Sequence, residues 1–497
     1  MQYLNRVDDK RCIIIGMYRA PSKQRQRVMR VLVYTLMTAA VLLIVTALVF
    51  IMQGYRFNRA TSTIEQGGLV QFNSRPSNAS ITIGTAKLAN RTPSKITVNP
   101  GNYPVTMQKN GYHTWNKYVD VKAGQVLWLN YAQLIPTSIV TKPVQTFDTI
   151  SDVLASPNGD RYALLRSPST PTVDFIDITD TKPRQTSVAL AADALPTNLN
   201  TLSLASWGSD SDRLLLTAKS NDKTEWLMID RRDESKTVNL STRYGIDVSD
   251  AVFDPRSNNR VIVRTVSGDI RIIDVPAGTI SEVVASSVSS MSMFMDDAIL
   301  IVQQTSPTTQ SVGYVSFSTN KVRQLQEIDT TDKTLVAGAT YFGDPYISIA
   351  SGNKLDVYQL RSLPSSESEA SIGMVNLLTT MLPTASSHMS MRTGGRFVLA
   401  QYGSGVLTYD IELKKQTNTR FTTPVTKELR WLDKYHFYLT NGSQLEVLEF
   451  DGGNAHPIAS VTTAYDATWR DNGKYIYSFT TNKDGRYVLQ RSTMIVD

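Results

Sequence analysis

The stretch 153–165 reads VLASPNGDRYALL, and the stretch 467–479 reads ATWRDNGKYIYSF. Both begin at an apolar strand end, pass through a polar turn that contains Asn-Gly, and finish in an apolar, β-rich run. Each stretch thus reads as a strand, a polar turn and a second strand. The same supersecondary unit is therefore predicted near both ends of a long segment.

Weaker copies of this unit fill the sequence between the two stretches. They centre on Trp207, Phe253, Phe294, Phe342, Met391 and Trp431. Copies spaced about 40–50 residues apart are typical of a β-propeller, in which each repeat is one blade of several strands. We predict a propeller over 138–497 with eight blades, or seven if one copy is misassigned. Either 138–141 or 494–496 supplies the strand that closes the ring.

The N-terminal segment has the pattern of a membrane anchor. Residues 1–30 hold eight Lys or Arg and two Asp, whereas 31–55 hold no charged residue. About 20 apolar residues cross the hydrocarbon core, so 31–55 is predicted to be one transmembrane helix. The run is longer than the apolar region of a cleaved signal peptide and no A-x-A site follows, which favours an uncleaved signal anchor. The basic tail 1–30 predicts a cytoplasmic N-terminus and an extracytoplasmic C-terminal ectodomain at the cell membrane.

Composition narrows the class of protein. The formal charge of +7 comes mostly from the tail, so it is not the basic surface of a nucleic-acid-binding protein. Cys12 is the single cysteine, and the ectodomain therefore has no disulfide. Secreted eukaryotic domains of this size usually carry disulfides, so this favours a bacterial cell-envelope protein.

Between the anchor and the repeats, residues 67–134 alternate with period two, so a small β-sandwich is predicted over 64–136. Its candidate strands are 69–72, 79–83, 96–98, 103–107, 118–121 and 126–129. This part resembles the PEGA domain of bacterial surface proteins. The matching pieces are Gly68-x-Val70, Ser74-x-Pro76-x-x-Ala79, Thr92-Pro93, Pro100-Gly101-x-Tyr103 and Gly111-Tyr112. The resemblance implies a non-catalytic domain close to a membrane anchor. Asn78 replaces the glycine of the family motif, which a left-handed φ at asparagine accommodates.

No catalytic, cofactor or metal site is predicted. The four histidines, His113, His388, His436 and His456, are not at metal-ligand spacing, and there is no phosphate-binding loop. The turn at Ser156-Pro157-Asn158-Gly159 resembles the S-P-D-G turn of bacterial periplasmic propellers, a likeness that implies fold alone. Carboxylates across the propeller mouth, as in glycosidases, remain an alternative.

Two places are candidates for contact with a partner. Trp115 and Tyr118 lie in the small sandwich. Met374, Leu377 and Leu378 lie in the apolar run 374–382, which follows an insertion at 362–372 that is predicted to be an exposed loop. That run is expected to be the outer strand of the fifth blade, with a helix or a hydrophobic contact patch as the alternative. Trp207, Trp431 and Trp469 occupy equivalent repeat positions and are expected to pack between blades.

These features favour a non-enzymatic, single-pass envelope protein whose propeller binds a protein partner or a wall polymer. Two alternatives stay open at this point. One is an extracytoplasmic glycan hydrolase or lyase, and the other is a sensor or assembly factor that acts through the helix.

Overall fold

The computed structural model describes residues 23–52, 54–58, 63–179, 182–221, 223–361, 372–391, 394–422, 425, 428–462, 465–470 and 473–496. The chain forms two compact units. The first comprises residues up to 73 with 93–104 and 118–130, and the second comprises 74–92, 105–117 and 131–497.

The first unit begins with a long apolar helix, α1 (Lys23–Met52). Among the described residues, α1 is the one helix that is long and apolar enough to cross a membrane. Thr35, Thr38 and Thr46 donate their hydroxyl hydrogens to the carbonyl oxygens four residues earlier, at 2.8–2.9 Å. These bonds satisfy the hydroxyl groups within the helix, as an apolar solvent requires.

The bounds of α1 differ from the predicted span 31–55. The helix starts eight residues earlier, at Lys23, and therefore includes basic residues that were assigned to the tail. It ends at Met52, and Tyr55 instead opens a hairpin that was not predicted, β1 (Tyr55–Asn58) with β2 (Thr63–Gln66). Residues 1–22 of the predicted tail lie outside the described residues.

The next strands belong to the small β domain. They are β3 (Gly68–Arg75), β4 (Ser80–Ile83), β5 (Ala86–Lys87), β6 (Ser94–Val98), β7 (Gly101–Gln108), β8 (Trp115–Val121) and β9 (Val126–Gln133). They form one sheet in the order β6-β3-β9 and another in the order β5-β4-β7-β8. All six predicted strands are present, and the short β5 is an addition.

Several of the motif residues in this domain share a hydrogen-bonded cluster. The hydroxyl oxygens of Ser74 and Thr92 lie 2.7 Å apart, and the Ala79 amide donates to the Thr92 hydroxyl at 2.9 Å. Asn78 has φ 69, so it takes the left-handed conformation expected at the glycine of the motif. Ser74 and Thr92 are buried, and the cluster satisfies their polar groups away from water.

Strand β10 (Val140–Phe147) leads into the repeats, and blades one to four follow it. Blade one consists of β11 (Asp152–Ala155), β12 (Arg161–Leu165), β13 (Thr172–Asp177) and β14 (Arg184–Ala189). A 3-10 turn (Ala192–Ala194) precedes blade two, which consists of β15 (Thr201–Trp207), β16 (Arg213–Ser220), β17 (Lys223–Asp230) and β18 (Asp233–Asn239). The short helix α2 (Leu240–Tyr244) precedes blade three, which consists of β19 (Val248–Asp254), β20 (Ser257–Thr265), β21 (Ile270–Asp274) and β22 (Thr279–Ile280). Blade four consists of β23 (Val288–Met295), β24 (Ala298–Ser306), β25 (Thr309–Ser316) and β26 (Lys321–Asp329).

Blades five to eight complete the series. Blade five consists of β27 (Thr334–Tyr341), β28 (Asp344–Ser351), β29 (Lys354–Arg361) and β30 (Gly373–Met381). Blade six consists of β31 (Ser386–Met391), β32 (Phe397–Tyr402), β33 (Gly405–Asp410) and β34 (Lys415–Arg420). Blade seven consists of β35 (Arg430–Trp431), β36 (His436–Asn441), β37 (Gln444–Glu449) and β38 (His456–Ser460). Blade eight contains β39 (Thr468–Arg470), β40 (Tyr475–Thr481) and β41 (Tyr487–Thr493), together with β10.

Eight four-stranded antiparallel sheets therefore follow the small domain within the described part of the chain. The prediction of eight blades is confirmed, and the alternative of seven is wrong. First strands of successive blades contact each other, as β11 contacts β15 and β27 contacts β31. The first strand of each blade is consequently the innermost one.

The ring is closed by the N-terminal strand of the repeats. Strand β10 pairs antiparallel with β41, with Val140 opposite Thr493 and Phe147 opposite Tyr487. It is the outermost strand of blade eight, in the order β10-β41-β40-β39. Pro143 has no amide hydrogen, and an edge position next to an irregularity in register tolerates it. The candidate segment 494–496 instead lies beyond the last strand.

Tryptophans at equivalent positions pack against the preceding blade, as predicted. The ring of Trp207 in blade two lies edge-on to Phe175 of blade one, at 5.6 Å between ring centroids. Trp431 of blade seven stacks on Phe397 of blade six at 6.1 Å. Trp469 of blade eight packs against a buried cluster that includes residues of blade seven. Each blade thus buries apolar side chains between itself and its neighbours.

The apolar run 374–382 coincides with β30, the outer strand of blade five, so the alternative of a helix is wrong. Most of the predicted loop before it, residues 362–371, lies outside the described residues. One repeat centre also differs from its prediction. Phe342 does not end a strand but occupies the turn after β27, where its side chain is 89% exposed.

Phe147 provides a test of ring closure, because its side chain is 1% exposed and lies on β10. Phe147→Ala removes a large buried ring, so we expect the free energy of unfolding to fall by about 3–5 kcal/mol. Urea unfolding of the full chain in detergent, followed by tryptophan fluorescence, measures the change. The neighbouring exposed residue gives the matched control, Thr146→Ala, which should leave the unfolding midpoint nearly unchanged. Equal midpoints for the two variants would contradict a closing role for β10.

Candidate functional site

The predicted contact residues of the small domain lie in different environments. Trp115 is 1% exposed, and its indole N–H donates to the carboxylate of Glu449 in blade seven. Contact between Trp115 and an outside partner is therefore not supported by its position, because the side chain has no free surface. Tyr118 is 79% exposed and stays available for contact.

The predicted contact residues of β30 are half-buried rather than exposed. Met374 packs against the cluster between blades four and five, and Leu377 and Leu378 pack against the cluster between blades five and six. Their apolar atoms mostly serve packing between blades. The exposed apolar side chain of this strand is instead Met381, at 61%.

Carboxylates on or next to the innermost strands join neighbouring blades. Asp466, before β39, accepts a hydrogen bond from Arg430 of blade seven at 2.7 Å and from the Ala155 amide of blade one at 3.2 Å. Asp152 of blade one accepts from the Leu204 amide of blade two at 2.8 Å. These acids stabilise contacts between blades.

The carboxylate of Glu428, before β35, lies 3.3 Å from Nδ1 of His388. The hydrogen bond with His388 lowers the pKa of Glu428, despite partial burial. A carboxyl group that acts as a general acid near neutral pH needs a raised pKa instead. Among the described residues, no group of three or more His, Cys, Asp or Glu is arranged to hold a metal ion.

A cavity of about 280 Å³ lies where turns of blades five, six and seven meet. We call it the turn pocket. Its walls are Tyr341–Phe342 after β27, Gly394–Phe397 before β32, and Lys434–Tyr435 before β36. Each segment connects the first and second strands of its blade, so the pocket lies at one end of the propeller. Its volume is close to the lower limit for small-molecule sites and suits one side chain.

Gly395 allows the walls of the turn pocket to approach each other. It has φ 62, and a Cβ atom at this position would lie 2.3 Å from the carbonyl oxygen of Thr340 in blade five. Any side chain would therefore collide with backbone and also strain the left-handed conformation. Glycine at this position brings the turns of blades five and six together.

Arg396 is held at the pocket by acids of its own blade. Its guanidinium donates to Asp410 at 2.7 Å and forms an ion pair with Glu412. Burial disfavours the charge, but the two carboxylates outweigh that effect and raise the pKa of Arg396. The Tyr341 hydroxyl also donates to Glu412, at 2.9 Å. Burial raises the pKa of Tyr341, and the interaction with Glu412 raises it further. Asp410 and Glu412 therefore already have partners within the protein, namely Arg396 and Tyr341.

Behind the pocket, aromatic rings connect blades six and seven with strand β9. Tyr131 of β9 stacks on Tyr435 with 4.8 Å between ring centroids, and Phe397 stacks on Phe450 at 4.2 Å. Offset stacking of this kind adds about 0.5–1.5 kcal/mol per pair beyond burial. The wall that includes Phe397 and Tyr435 is therefore supported from within the molecule.

Lys117 of β8 lies next to this aromatic group. Its ammonium is 2.7 Å from Asp451, forms an ion pair with Glu449, and lies 5.0 Å from the ring centroid of Phe450. Burial lowers the pKa of Lys117, but Glu449 and then the other nearby groups raise it well above its ordinary value overall. The charged form is thus strongly favoured in the folded protein.

Sequence reasoning missed the turn pocket, because its three segments come from separate repeats. A local signal was present nonetheless. Phe342-Gly343 stands between two β-rich runs, where a hairpin usually has Asn-Gly or Asp-Gly.

The small β domain matches a known domain family. Residues 68–134 match the PEGA domain. The match confirms the resemblance seen in the sequence, and it places Trp115, Lys117 and Tyr131 within that domain. A comparison with curated protein sequences gives no match.

The chain is similar to several solved structures at low sequence identity. The C-terminal WD40 domain of Sif2 has 12% identity and a TM-score of 0.49, with 72% of this chain and 99% of that chain covered. Sqt1 of Saccharomyces cerevisiae has 10% identity and a TM-score of 0.46, with 71% and 97% covered. An oligogalacturonate lyase in complex with manganese has 10% identity and a TM-score of 0.36, with 72% and 98% covered. Likenesses at this level give no information on function.

Replacing Lys117 tests the contact between the PEGA residues and blade seven. Lys117→Met leaves Glu449, which is 1% exposed, without its cation, so we expect a loss of about 3–5 kcal/mol in the free energy of unfolding. Adding Glu449→Gln should restore most of the loss, because the uncompensated charge is then gone. Urea midpoints of the full chain in detergent measure both effects. The exposed Lys95→Met serves as the control, and failure of the double variant to recover would contradict this electrostatic explanation.

Proposed function

We propose that this chain is a non-enzymatic, membrane-anchored cell-envelope protein whose extracytoplasmic propeller binds a protein partner or a wall polymer. The observation that carries the proposal is the turn pocket with its exposed Phe342 at one end of the ring. Exposed aromatic side chains beside a concave site are typical of binding surfaces. The carboxylates of Asp466 and Glu428 are paired with Arg430 and His388, which favours binding over acid catalysis.

The anchor is proposed to be α1, with residues 1–30 cytoplasmic and the PEGA domain and propeller outside. Support comes from the basic residues at the start of α1, since positive charge is retained on the cytoplasmic side. The ectodomain has no cysteine, which is consistent with a bacterial envelope.

The single cysteine gives a direct test of this orientation. In intact cells, a membrane-impermeant maleimide should leave Cys12 unlabelled and should label Val266→Cys in a Cys12→Ser background, because Val266 is 71% exposed. Mass shift of the purified full chain measures the labelling, and permeabilised cells provide the control in which Cys12 reacts. Labelling of Cys12 in intact cells would contradict the proposed topology.

Binding is tested with the full chain, immobilised in detergent and incubated with solubilised envelope extract. We expect one dominant protein to be retained, identified by mass spectrometry, or purified cell wall to sediment with the chain. A turnover of glycan substrates that is lost in Asp466→Asn would instead support the hydrolase or lyase alternative. Absence of both retained protein and wall binding would overturn the proposed function.

A further inference from the structure

The hairpin that carries Phe342 does not have the residues that its turn type prefers. Tyr341 pairs with Asp344, so Phe342 and Gly343 form a two-residue loop, with φ 50 and φ 86. Positive φ at both positions is the feature of a type I′ turn, which favours Asn-Gly because other side chains are strained there. Phenylalanine at the first position is therefore unfavourable for the turn itself.

Other positive-φ positions in the chain follow the usual preference. Within the described residues, five of the nine non-glycine residues with positive φ are asparagine and two are serine. The remaining two are Phe342 and Lys414. Lys414 lies in the turn between β33 and β34, two residues after Glu412, which bonds to Tyr341 and Arg396 of the turn pocket. Both departures thus occur at the same end of the propeller.

Packing within the molecule does not account for Phe342. Its ring is 89% exposed and lies edge-on to Tyr341, with 4.6 Å between ring centroids. A large apolar side chain that is exposed and also unfavourable for its turn contributes nothing evident to stability. Backbone strain that the fold does not need is a recognised mark of functional positions.

Exposed lysines outnumber exposed acids without an ion pair at the turns of blades five to seven on this end of the propeller. Lys434, Lys414 and Lys415 are exposed, and within the described part of the chain none forms an ion pair. The acids Asp410 and Glu412 form ion pairs with Arg396. Asp344, in the same hairpin as Phe342, is exposed and accepts a hydrogen bond from Gln359 at 3.0 Å. The three lysines outnumber this one acid, and the net positive charge complements an acidic ligand.

We propose that the turn pocket docks an acidic segment of a protein partner. An apolar side chain of the segment enters the cavity beside Phe342, and flanking carboxylates pair with Lys434 and the lysines at 414 and 415. This inference rests on the proposed binding function and names its site and the class of its partner.

The test uses the full chain in detergent and a fluorescein-labelled peptide with one tryptophan between runs of aspartate. Fluorescence polarisation should show binding that weakens as salt is raised, since flanking charges contribute. Counterparts with lysine for aspartate, or alanine for tryptophan, should not bind.

Two variants assign the binding to the pocket. Phe342→Asn and Lys434→Gln should each weaken peptide binding by about tenfold or more, as expected when an interface anchor is lost. Phe342→Asn should also leave the thermal unfolding midpoint unchanged or raised, because asparagine suits the turn. Matched controls on exposed turns between second and third strands, at the other end of the ring, are Val266→Asn and Lys483→Gln. Neither should change binding.

The inference is overturned if the wild-type chain does not prefer the acidic peptide, or if Phe342→Asn binds it with unchanged affinity. It is also overturned if wall glycan fragments bind at the turn pocket while the acidic peptide binds elsewhere on the chain. These results are distinguishable from failure of the proposed function. A partner retained equally by wild type and Phe342→Asn would leave propeller binding in place and remove the turn pocket as its site.

Discussion

The pairing of β10 with β41 is the contact on which the rest of the propeller depends. Each blade has apolar faces that are buried only between two neighbours, and an open series of blades would expose two of these faces and long sheet edges. Closure joins residues separated by almost the whole repeat region, with Phe147 opposite Tyr487. The entropy cost of closing so long a loop grows only slowly with its length, so eight interblade interfaces can offset it.

The closing strand also fixes where the PEGA domain ends. Strand β9 ends at Gln133, and β10 begins at Val140. Between them, Leu134 and Ile135 are buried, and Ile135 accepts a hydrogen bond from the His113 amide at 2.8 Å. The connection is therefore short and bonded rather than a flexible linker. Lys117 then adds a buried ion pair with Glu449 of blade seven.

Much of the fold was predictable because its signals are local. In the sequence, polar segments at both ends of the repeat region precede apolar, β-rich runs, and the spacing of the copies predicted the number of blades. The closing strand was not predictable, because β-branched residues occur at both candidate ends, and pairing depends on partners far away in the chain. The burial of Trp115 was not predictable for the same reason. Its burial depends on Glu449, which is 334 positions away, and no local pattern records that contact.

The candidate site was less predictable than the fold, because a propeller builds its surface from turns of separate repeats. The walls of the turn pocket are held in place by contacts within the molecule. Gly395 allows two turns to approach closely, and carboxylates bind the guanidinium of Arg396. Phe342 lies in a two-residue loop between paired strands. A site ordered in advance loses little conformational entropy on association, so a small contact area can give specific binding. The same rigidity explains how an exposed ring in a strained turn persists, since the paired strands on either side leave the loop no other conformation.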